Sequence, residues 1–231
     1  MKLSGKNVVI TGAKGGLGTF VTQAFLDEGA RVMGVSRSIT AADFASERFI
    51  AMPAEVSTGE NAKTLMADAL AKCGRIDGLV HLVGGFAGGH SIHDTDDATF
   101  DRMMEMNLRS AFLAIRAVLP SMREQGSGRI IAIGSKAAVE PAPMAGAYAA
   151  SKAALVSLIR TVARENKGRG ITANIVLPGT MDTPANRAAD PAADFSKWVD
   201  PRQVAQLLVH LVSAGASQVN GAVIPIYGAE A

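Results

Sequence analysis

Seven short apolar segments alternate with longer segments of helical periodicity, and this alternation constrains the fold of the 231-residue chain more than any other feature. The short segments are continuous apolar runs rich in β-branched residues, which is typical of parallel strands covered on both faces. Predicted strands cover 8–11, 31–35, 49–52, 79–83, 129–133, 172–177 and 223–226, and predicted helices cover 17–28, 58–73, 97–123, 148–167 and 202–214. Right-handed crossovers then predict an α/β, doubly wound, seven-stranded and mainly parallel sheet with helices on both faces.

The sequence shows no internal repeat, low-complexity segment or linker composition, so residues 1–231 are predicted to form a single domain. Only the segment 181–201 interrupts the alternation, with three prolines, four aspartates and no long periodic stretch. Long connections in compact α/β domains are often lids over a site. We expect 181–201 to be a substrate lid; the alternative is a surface connection.

Composition and charge exclude several classes of function. The formal net charge is only +2 and no basic run occurs, so nucleic-acid binding has no electrostatic support. The apolar stretches are strand-length, short of the roughly 20 residues that span a membrane, and the N-terminus lacks a signal-peptide hydrophobic region. Cys73 is the only cysteine, which excludes an internal disulfide and a thiolate metal cluster. We therefore expect a cytoplasmic protein with no metal, membrane or nucleic-acid partner.

A glycine-rich turn follows the first predicted strand and opens the first predicted helix, with four glycines within seven residues. Glycines let the backbone turn tightly and approach a pyrophosphate, whose charge sits at the helix N-terminus. At this place in a β/α series the turn predicts the dinucleotide site of a Rossmann fold, whereas a mere tight turn would not need four glycines. The residues predicted to contact the cofactor here are Gly12, Lys14, Gly16, Leu17 and Gly18.

The end of the second strand separates the two nicotinamide cofactors. An acidic residue there would bind the adenosine ribose, whereas an arginine accommodates a 2′-phosphate. Ser36 and Arg37 occupy this place, the nearest acid downstream is Asp43, and Lys14 supplies a second positive charge. The sequence thus favours NADP(H), with NAD(H) as the second choice; the alternative is that Arg37 is only a solvated charge at a strand end.

Tyr148 and Lys152 are four residues apart in a predicted helix, so they share one face. An ammonium beside a phenol favours the phenolate and lowers the tyrosine pKa from about 10. Such a tyrosine can exchange a proton with a substrate near neutral pH. The spacing alone is weak evidence, because a surface tyrosine followed by a lysine produces it as well.

Together these motifs resemble the short-chain dehydrogenase/reductase family over essentially the whole chain. The turn from Thr11 to Gly18 is similar to the family's TGxxxGxG motif, and Tyr148 to Lys152 is similar to its YxxxK motif. The resemblance implies a catalytic Ser135 and a catalytic Asn107. It also implies further cofactor contacts at Glu55, Val56, Gly84, Pro178, Gly179 and Thr183.

The resemblance implies a role for each of the four catalytic residues. Tyr148 would be the general acid for carbonyl reduction and the base for alcohol oxidation. Lys152 would lower the tyrosine pKa and hold the nicotinamide ribose, while Ser135 would hydrogen-bond the substrate oxygen. Asn107 would hold a water molecule that relays protons through Lys152. Taken singly, Ser135 could be an ordinary strand-end hydroxyl and Asn107 a residue that caps or kinks its helix.

Two departures from the family pattern accompany a second resemblance. His81 stands where many members have an NNAG-like sequence, and we expect it to be a core residue; Glu55 replaces the usual aspartate after the third strand. The run from Gly84 to Gly89 is similar to the GGWAGG segment of dihydropteridine reductases, so reduction of a quinonoid pterin or cyclic imine is an alternative activity. The expected substrate contacts, which suggest a flat or apolar substrate, are Phe86, Met144, Met181, Phe195 and Trp198.

The predicted helices 97–123 and 148–167 carry apolar residues around much of their circumference. A helix that is apolar beyond one stripe must bury more than one face. In the family these helices pair between subunits, so a homotetramer or homodimer is expected. A dinucleotide-sensing protein without turnover is a third functional hypothesis, which the combination of Tyr148, Ser135 and Asn107 disfavours.

Overall fold

The computed structural model describes residues 1–230, which contain one seven-stranded sheet. The strand order is β3-β2-β1-β4-β5-β6-β7 and every neighbouring pair is parallel. The strands are β1 Asn7–Thr11, β2 Arg31–Ser36, β3 Phe49–Pro53, β4 Gly78–His81, β5 Gly128–Ile133, β6 Ile171–Pro178 and β7 Val223–Ile226. The doubly wound fold predicted from the sequence is confirmed, and the sheet is wholly rather than mainly parallel.

Within residues 1–230, seven α-helices accompany the strands. They are α1 Gly18–Asp27, α2 Gly59–Cys73, α3 Asp97–Met104, α4 Ser110–Glu124, α5 Gly146–Glu165, α6 Pro184–Ala189 and α7 Pro201–Val212. Successive strand residues point to opposite faces of the sheet, so they divide between two buried layers. Val9, Leu79 and Ile130 pack towards α2, α4 and α5, whereas Val8 and Ile10 pack towards α1 and α7.

Several element boundaries differ from the prediction, and three of the differences lie near the carboxyl edge of the sheet. The fourth strand ends at His81 instead of residue 83, and the backbone of the next two residues lies close to Gly12. The predicted helix 97–123 is two α-helices joined by a π-helical turn, Glu105–Arg109. The hydroxyl of Ser110 donates to the carbonyl of Met106 at 2.6 Å, a bond that competes with regular helical pairing. Helix α5 begins at Gly146, two residues earlier than predicted.

The strand order reverses between β1 and β4, which lie side by side at the centre of the sheet. In open α/β sheets, ligands bind outside the carboxyl ends of the strands at this switch point. The glycine turn after β1, the segment after β4 and the residues after β5 and β6 all leave the sheet at this edge. Within residues 1–230, no helix has the length and apolarity to cross a bilayer, and no group of three potential metal ligands occurs.

Candidate active site

The glycine turn between β1 and α1 has a backbone that tolerates no side chains at two positions. Gly12 has a φ of +75°, and a Cβ there would lie 3.1 Å from the Leu82 carbonyl carbon. A Cβ on Gly18 would overlap the Gly12 carbonyl oxygen. Within Gly18–Asp27, the first turn holds no acidic residue and no side-chain cap closes the helix N-terminus. This arrangement suits an anion bound by backbone N–H groups at a helix N-terminus.

The corner beside β2 brings the predicted selectivity residues together. The Lys14 amide donates to the Ser36 hydroxyl at 3.2 Å, so the turn is attached to the strand end. The Lys14 ammonium pairs with the Asp43 carboxylate at 2.8 Å and donates to the Ser38 carbonyl at 3.1 Å. Arg37 is exposed at the strand end. The corner therefore holds two cations and one carboxylate. The carboxylate belongs to Asp43, which the sequence analysis named as the nearest acid downstream and to which it gave no role.

Lys152 lies in the core of the protein, with only 5% of its surface exposed. Its ammonium donates a hydrogen bond of 2.9 Å to the carbonyl of Ile133, the last residue of β5. Burial lowers the pKa of Lys152 to about 8, since the charged form loses hydration. The ammonium lies 5.9 Å from the centroid of the Tyr148 ring.

Tyr148 and Ser135 form a hydrogen-bonded pair at the carboxyl end of β5. Burial raises the pKa of the Tyr148 phenol above its usual value of 10.0, and the hydrogen bond from Ser135 opposes that rise. The net shift is therefore opposite to the lowering expected from Lys152, because desolvation dominates. The Ser135 hydroxyl also accepts from the amide of Ala137 at 3.2 Å, which fixes its position.

Asn107 lies on the π-helical turn and is completely buried. Its side-chain oxygen accepts from the Gly85 amide at 2.9 Å, and its amide nitrogen donates to the Gly85 carbonyl at 3.0 Å. The same nitrogen donates at 3.0 Å to the hydroxyl of Ser151, which in turn donates to the Tyr148 carbonyl at 2.7 Å. Asn107 thus connects the segment after β4 to the helix that carries Tyr148. Sequence reasoning missed Ser151, whose only signal is a small polar residue on the buried face of α5.

Gly84 makes room for this arrangement. A Cβ at this position would lie 2.7 Å from the Asn107 side-chain oxygen and 3.2 Å from the Lys152 ammonium nitrogen. The first distance is shorter than any normal contact. The glycine retained from the family pattern is therefore required by the packing of two polar side chains, in addition to any contact with a cofactor.

His81 is buried at the end of β4, as expected for a core residue, but it is fully hydrogen-bonded. Ser110 already donates to a carbonyl, so its oxygen accepts from His81 Nε2 at 3.1 Å. The other nitrogen, Nδ1, accepts from the Thr11 hydroxyl at 2.8 Å. Burial, assisted by the charge of Lys152, lowers the pKa of His81 to about 3. The neutral imidazole joins the strand before the glycine turn to the helix after Asn107.

The residues that follow β6 lie close to the glycine turn. The Gly179 amide donates to the Ile226 carbonyl at 3.0 Å, and Pro178 ends the strand. Thr183 is buried and caps α6 by accepting from the Asn186 amide at 3.3 Å. A Cβ on Gly16 would lie 3.4 Å from the Thr183 methyl group. The structure therefore places the start of the predicted lid against the glycine turn.

Glu55 and Val56, the predicted cofactor contacts after β3, have different surroundings in the structure. Glu55 is exposed. The Val56 side chain is buried in the core layer that contains Val9 and Met33, so only its backbone is available to a cofactor.

The candidate substrate contacts fall into two groups. Phe86 is 69% exposed and packs edge-on against the Tyr148 ring, with centroids 5.0 Å apart. Met144 is also exposed and has a φ of +65°, a conformation that side chains other than glycine rarely adopt. Its carbonyl accepts from the Gly89 amide at 2.8 Å, so the segment after β4 and the segment before α5 form one wall beside Tyr148.

The second group lies in the predicted lid. Segment 181–201 is structured, with helix α6 and a 3₁₀ turn at Phe195–Lys197. Met181 pairs with Val199 across the base of the segment and packs on the core. Phe195 and Trp198 contact each other, with ring centroids 4.8 Å apart, and the Arg187 guanidinium stacks on Phe195 at 4.6 Å.

Comparison with known proteins agrees with this geometry. A family model described as short chain dehydrogenase matches residues 6–194. The chain belongs to the short-chain dehydrogenase family. It is an NAD(P)-dependent oxidoreductase, and the predicted family membership is confirmed.

Individual relatives cover nearly the whole of this short-chain dehydrogenase. It is 32% identical to the short chain dehydrogenase adrF of Penicillium rubens, over 95% of this chain and 94% of the relative. It is 31% identical to 2-(S)-hydroxypropyl-CoM dehydrogenase 3 of Xanthobacter autotrophicus, over 98% of this chain and 97% of the relative.

Solved structures show the same fold. The structure of 3-ketoacyl-(acyl-carrier-protein) reductase from Brucella melitensis, complexed with NADH, superposes with a TM-score of 0.88 at 25% identity, covering 97% of this chain and 98% of that one. Levodione reductase superposes with a TM-score of 0.91 at 27% identity, covering 99% of this chain and 98% of that one.

Proposed function

We propose that this protein is an NADP(H)-preferring carbonyl reductase in which Tyr148 donates the proton. The observation that carries the proposal is the Ser135–Tyr148 hydrogen bond at the carboxyl end of β5, with Lys152 buried behind it. The names of the similar 3-ketoacyl and levodione reductases support reduction of a ketone.

The glycine turn, the open N-terminus of α1 and Thr183 would hold the dinucleotide. Their fit to a pyrophosphate rests on Gly12 and Gly18, where the backbone leaves no room for a side chain. When bound, a reduced nicotinamide supplies the hydride that the carbonyl carbon accepts. Arg37 and Lys14 would attract the 2′-phosphate that distinguishes NADPH from NADH.

Tyr148 would transfer its phenolic proton to the carbonyl oxygen, so that the C=O double bond becomes a C–OH single bond. The raised pKa keeps the phenol protonated at neutral pH, which suits proton donation and hence reduction. Ser135 would donate to the same substrate oxygen as negative charge develops on it. In alcohol oxidation the proton returns from the alcohol to the phenolate.

Lys152 would act on the phenolate that remains after the proton has left. Its pKa of about 8 leaves most of the side chain charged at pH 7, and the low dielectric of its site strengthens its attraction for a nearby anion. Asn107 positions this pair, since it connects the Gly85 backbone with the helix that carries both residues.

The wall formed by Phe86 and Met144 would contact the body of the substrate. Both side chains are apolar and exposed next to Tyr148, which favours a flat or hydrophobic ketone. The segment 181–201, with Phe195 and Trp198, would close over the opposite side as a lid of the single domain.

We also propose a homotetramer or homodimer that pairs α4 and α5 of neighbouring subunits in the cytoplasm. Phe112 on α4 is 43% exposed, and small residues such as Ala153 and Ser157 lie on the outer face of α5. Sedimentation at micromolar concentration tests this, and a purely monomeric species would contradict it.

The experiment that tests the activity is a substrate panel that follows NADPH and NADH oxidation with cyclic and acyclic ketones and with quinonoid dihydropterin. Ketone reduction is expected to fall about 10²- to 10³-fold in Ser135→Ala and to stay unchanged in Ser217→Ala, an exposed serine far from the site.

Two results would contradict the proposal. Turnover of the dihydropterin alone, insensitive to Ser135→Ala, would favour pterin reduction. Binding of NADPH without turnover of any compound would favour a dinucleotide sensor.

A further inference from the structure

The Lys14–Asp43 ion pair lies beside the predicted phosphate-binding residues. The Lys14 ammonium approaches both carboxylate oxygens, at 2.8 and 3.0 Å, and donates a third bond to the Ser38 carbonyl. The lysine that would attract a phosphate is therefore already engaged with an acid.

Asp43 is held in place independently of Lys14. Its carboxylate accepts from the Thr40 amide at 2.7 Å and from the Thr40 hydroxyl at 3.2 Å, which forms a capping box at the turn Ala41–Asp43. Hydrogen bonds from Lys14 and Thr40 lower the pKa of Asp43, so the carboxylate is ionised wherever the enzyme works. The negative charge is thus a fixed feature of the corner.

Arg37 is the one cation of this corner that has no competing partner, since it makes no ion pair or side-chain hydrogen bond within residues 1–230. The charges of Arg37 and Lys14, less that of Asp43, leave a single net positive charge. A 2′-phosphate that entered here would meet one free cation and would have to draw Lys14 away from Asp43.

We propose that Asp43 is a specificity-determining residue that limits the preference for NADP(H) and so lets the enzyme also use NAD(H). The proposal rests on the proposed function, because it assumes that the 2′-phosphate binds at this corner. By occupying Lys14, Asp43 weakens the attraction for the phosphate and leaves the binding of NADH, which lacks that group, unaffected.

Equilibrium titrations of NADPH and NADH fluorescence test the proposal without turnover. In Asp43→Asn the amide oxygen still accepts from Thr40, while the negative charge is gone. The dissociation constant for NADPH is expected to fall about three- to tenfold and that for NADH to stay within about twofold, and the NADPH gain should shrink at high salt. Asp43→Glu, which restores the charge, and Asp68→Asn, an exposed acid on α2, are expected to keep the wild-type ratio.

A second comparison measures the pairing itself. Lys14→Met should weaken NADPH binding less in the wild-type background than in Asp43→Asn, where the freed lysine contributes. An unchanged NADPH/NADH ratio in folded Asp43→Asn, or an equal effect of Lys14→Met in both backgrounds, would overturn the role of Asp43 alone. Failure of the wild-type protein to bind either nucleotide would overturn the proposed function as well.

Discussion

The Lys152 ammonium donates its hydrogen bond to the carbonyl of Ile133, at 2.9 Å, and so attaches helix α5 to the end of strand β5. This bond holds the charge close behind Tyr148 in a site that is almost entirely shielded from water. The depressed pKa of about 8 shows that the folded protein disfavours the charged form. Lys152 is therefore a residue that the proposed function requires and that stability does not.

Lys152→Met is expected to raise the free energy of unfolding at pH 7 by about 1–3 kcal/mol, because it removes the desolvation of a buried charge. The unfolded chain binds the lysine proton up to pH 10.5 and the folded chain only up to about 8. As the pH rises from 8 to 10.5, the free energy of unfolding of the wild type should consequently increase relative to that of the variant. Denaturant unfolding measures both effects. The exposed Lys63→Met serves as control, and a loss of stability in Lys152→Met would contradict the account.

His81 makes the stability of the folded protein sensitive to acidic pH. Its pKa is about 3 in the folded chain and 6.5 in the unfolded chain, so its contribution to stability is complete above pH 6.5 and is lost as the pH falls towards 3. Below pH 6.5 this group alone should reduce the free energy of unfolding by about 1.4 kcal/mol per pH unit. Unfolding curves between pH 6.5 and 4.5 should show a shallower slope for His81→Gln than for the wild type. The exposed His93→Gln should keep the wild-type slope, and equal slopes for His81→Gln and wild type would refute the assignment.

Gly84→Ala tests the packing between Asn107 and Lys152. The added methyl would lie 2.7 Å from the Asn107 oxygen, so that one of the two polar side chains must move. We expect kcat/KM for ketone reduction to fall by at least about tenfold, with a loss of about 1–3 kcal/mol in stability. Gly215→Ala is the matched control, since its new methyl would meet only ordinary contacts of 3.6 Å or more. Activity of Gly84→Ala within twofold of the wild type would show that the space is not needed.

The sequence predicted the fold and the residues that gather at the carboxyl edge of the sheet because both follow from local patterns. The alternation of apolar runs predicted the parallel sheet, and four-residue spacing predicted that Tyr148 and Lys152 share a helix face. The direction of the Tyr148 pKa shift could not be predicted, because spacing along a helix specifies proximity but not burial. Ile133, whose carbonyl accepts the hydrogen bond from the Lys152 ammonium, is nineteen residues away in the chain.

Two other features depend on tertiary contacts that leave no periodic signal. Helical periodicity continues through residues 97–123, so the sequence pattern contains no signal of the π-helical turn that carries Asn107. The Lys14–Asp43 pair joins residues 29 positions apart. The spacing of Thr40 and Asp43 is compatible with a capping box, but no local pattern connects Asp43 with Lys14.

The most direct test of the central claim is the paired measurement of NADPH binding and ketone reduction in Tyr148→Phe, which removes only the phenolic hydroxyl. Because the proton donor is lost while the site keeps its shape, kcat/KM should fall by about 10²- to 10⁴-fold, and the NADPH dissociation constant should stay within about twofold of the wild type. Reduction by Tyr148→Phe at a rate within tenfold of the wild type would contradict the role of Tyr148 as proton donor.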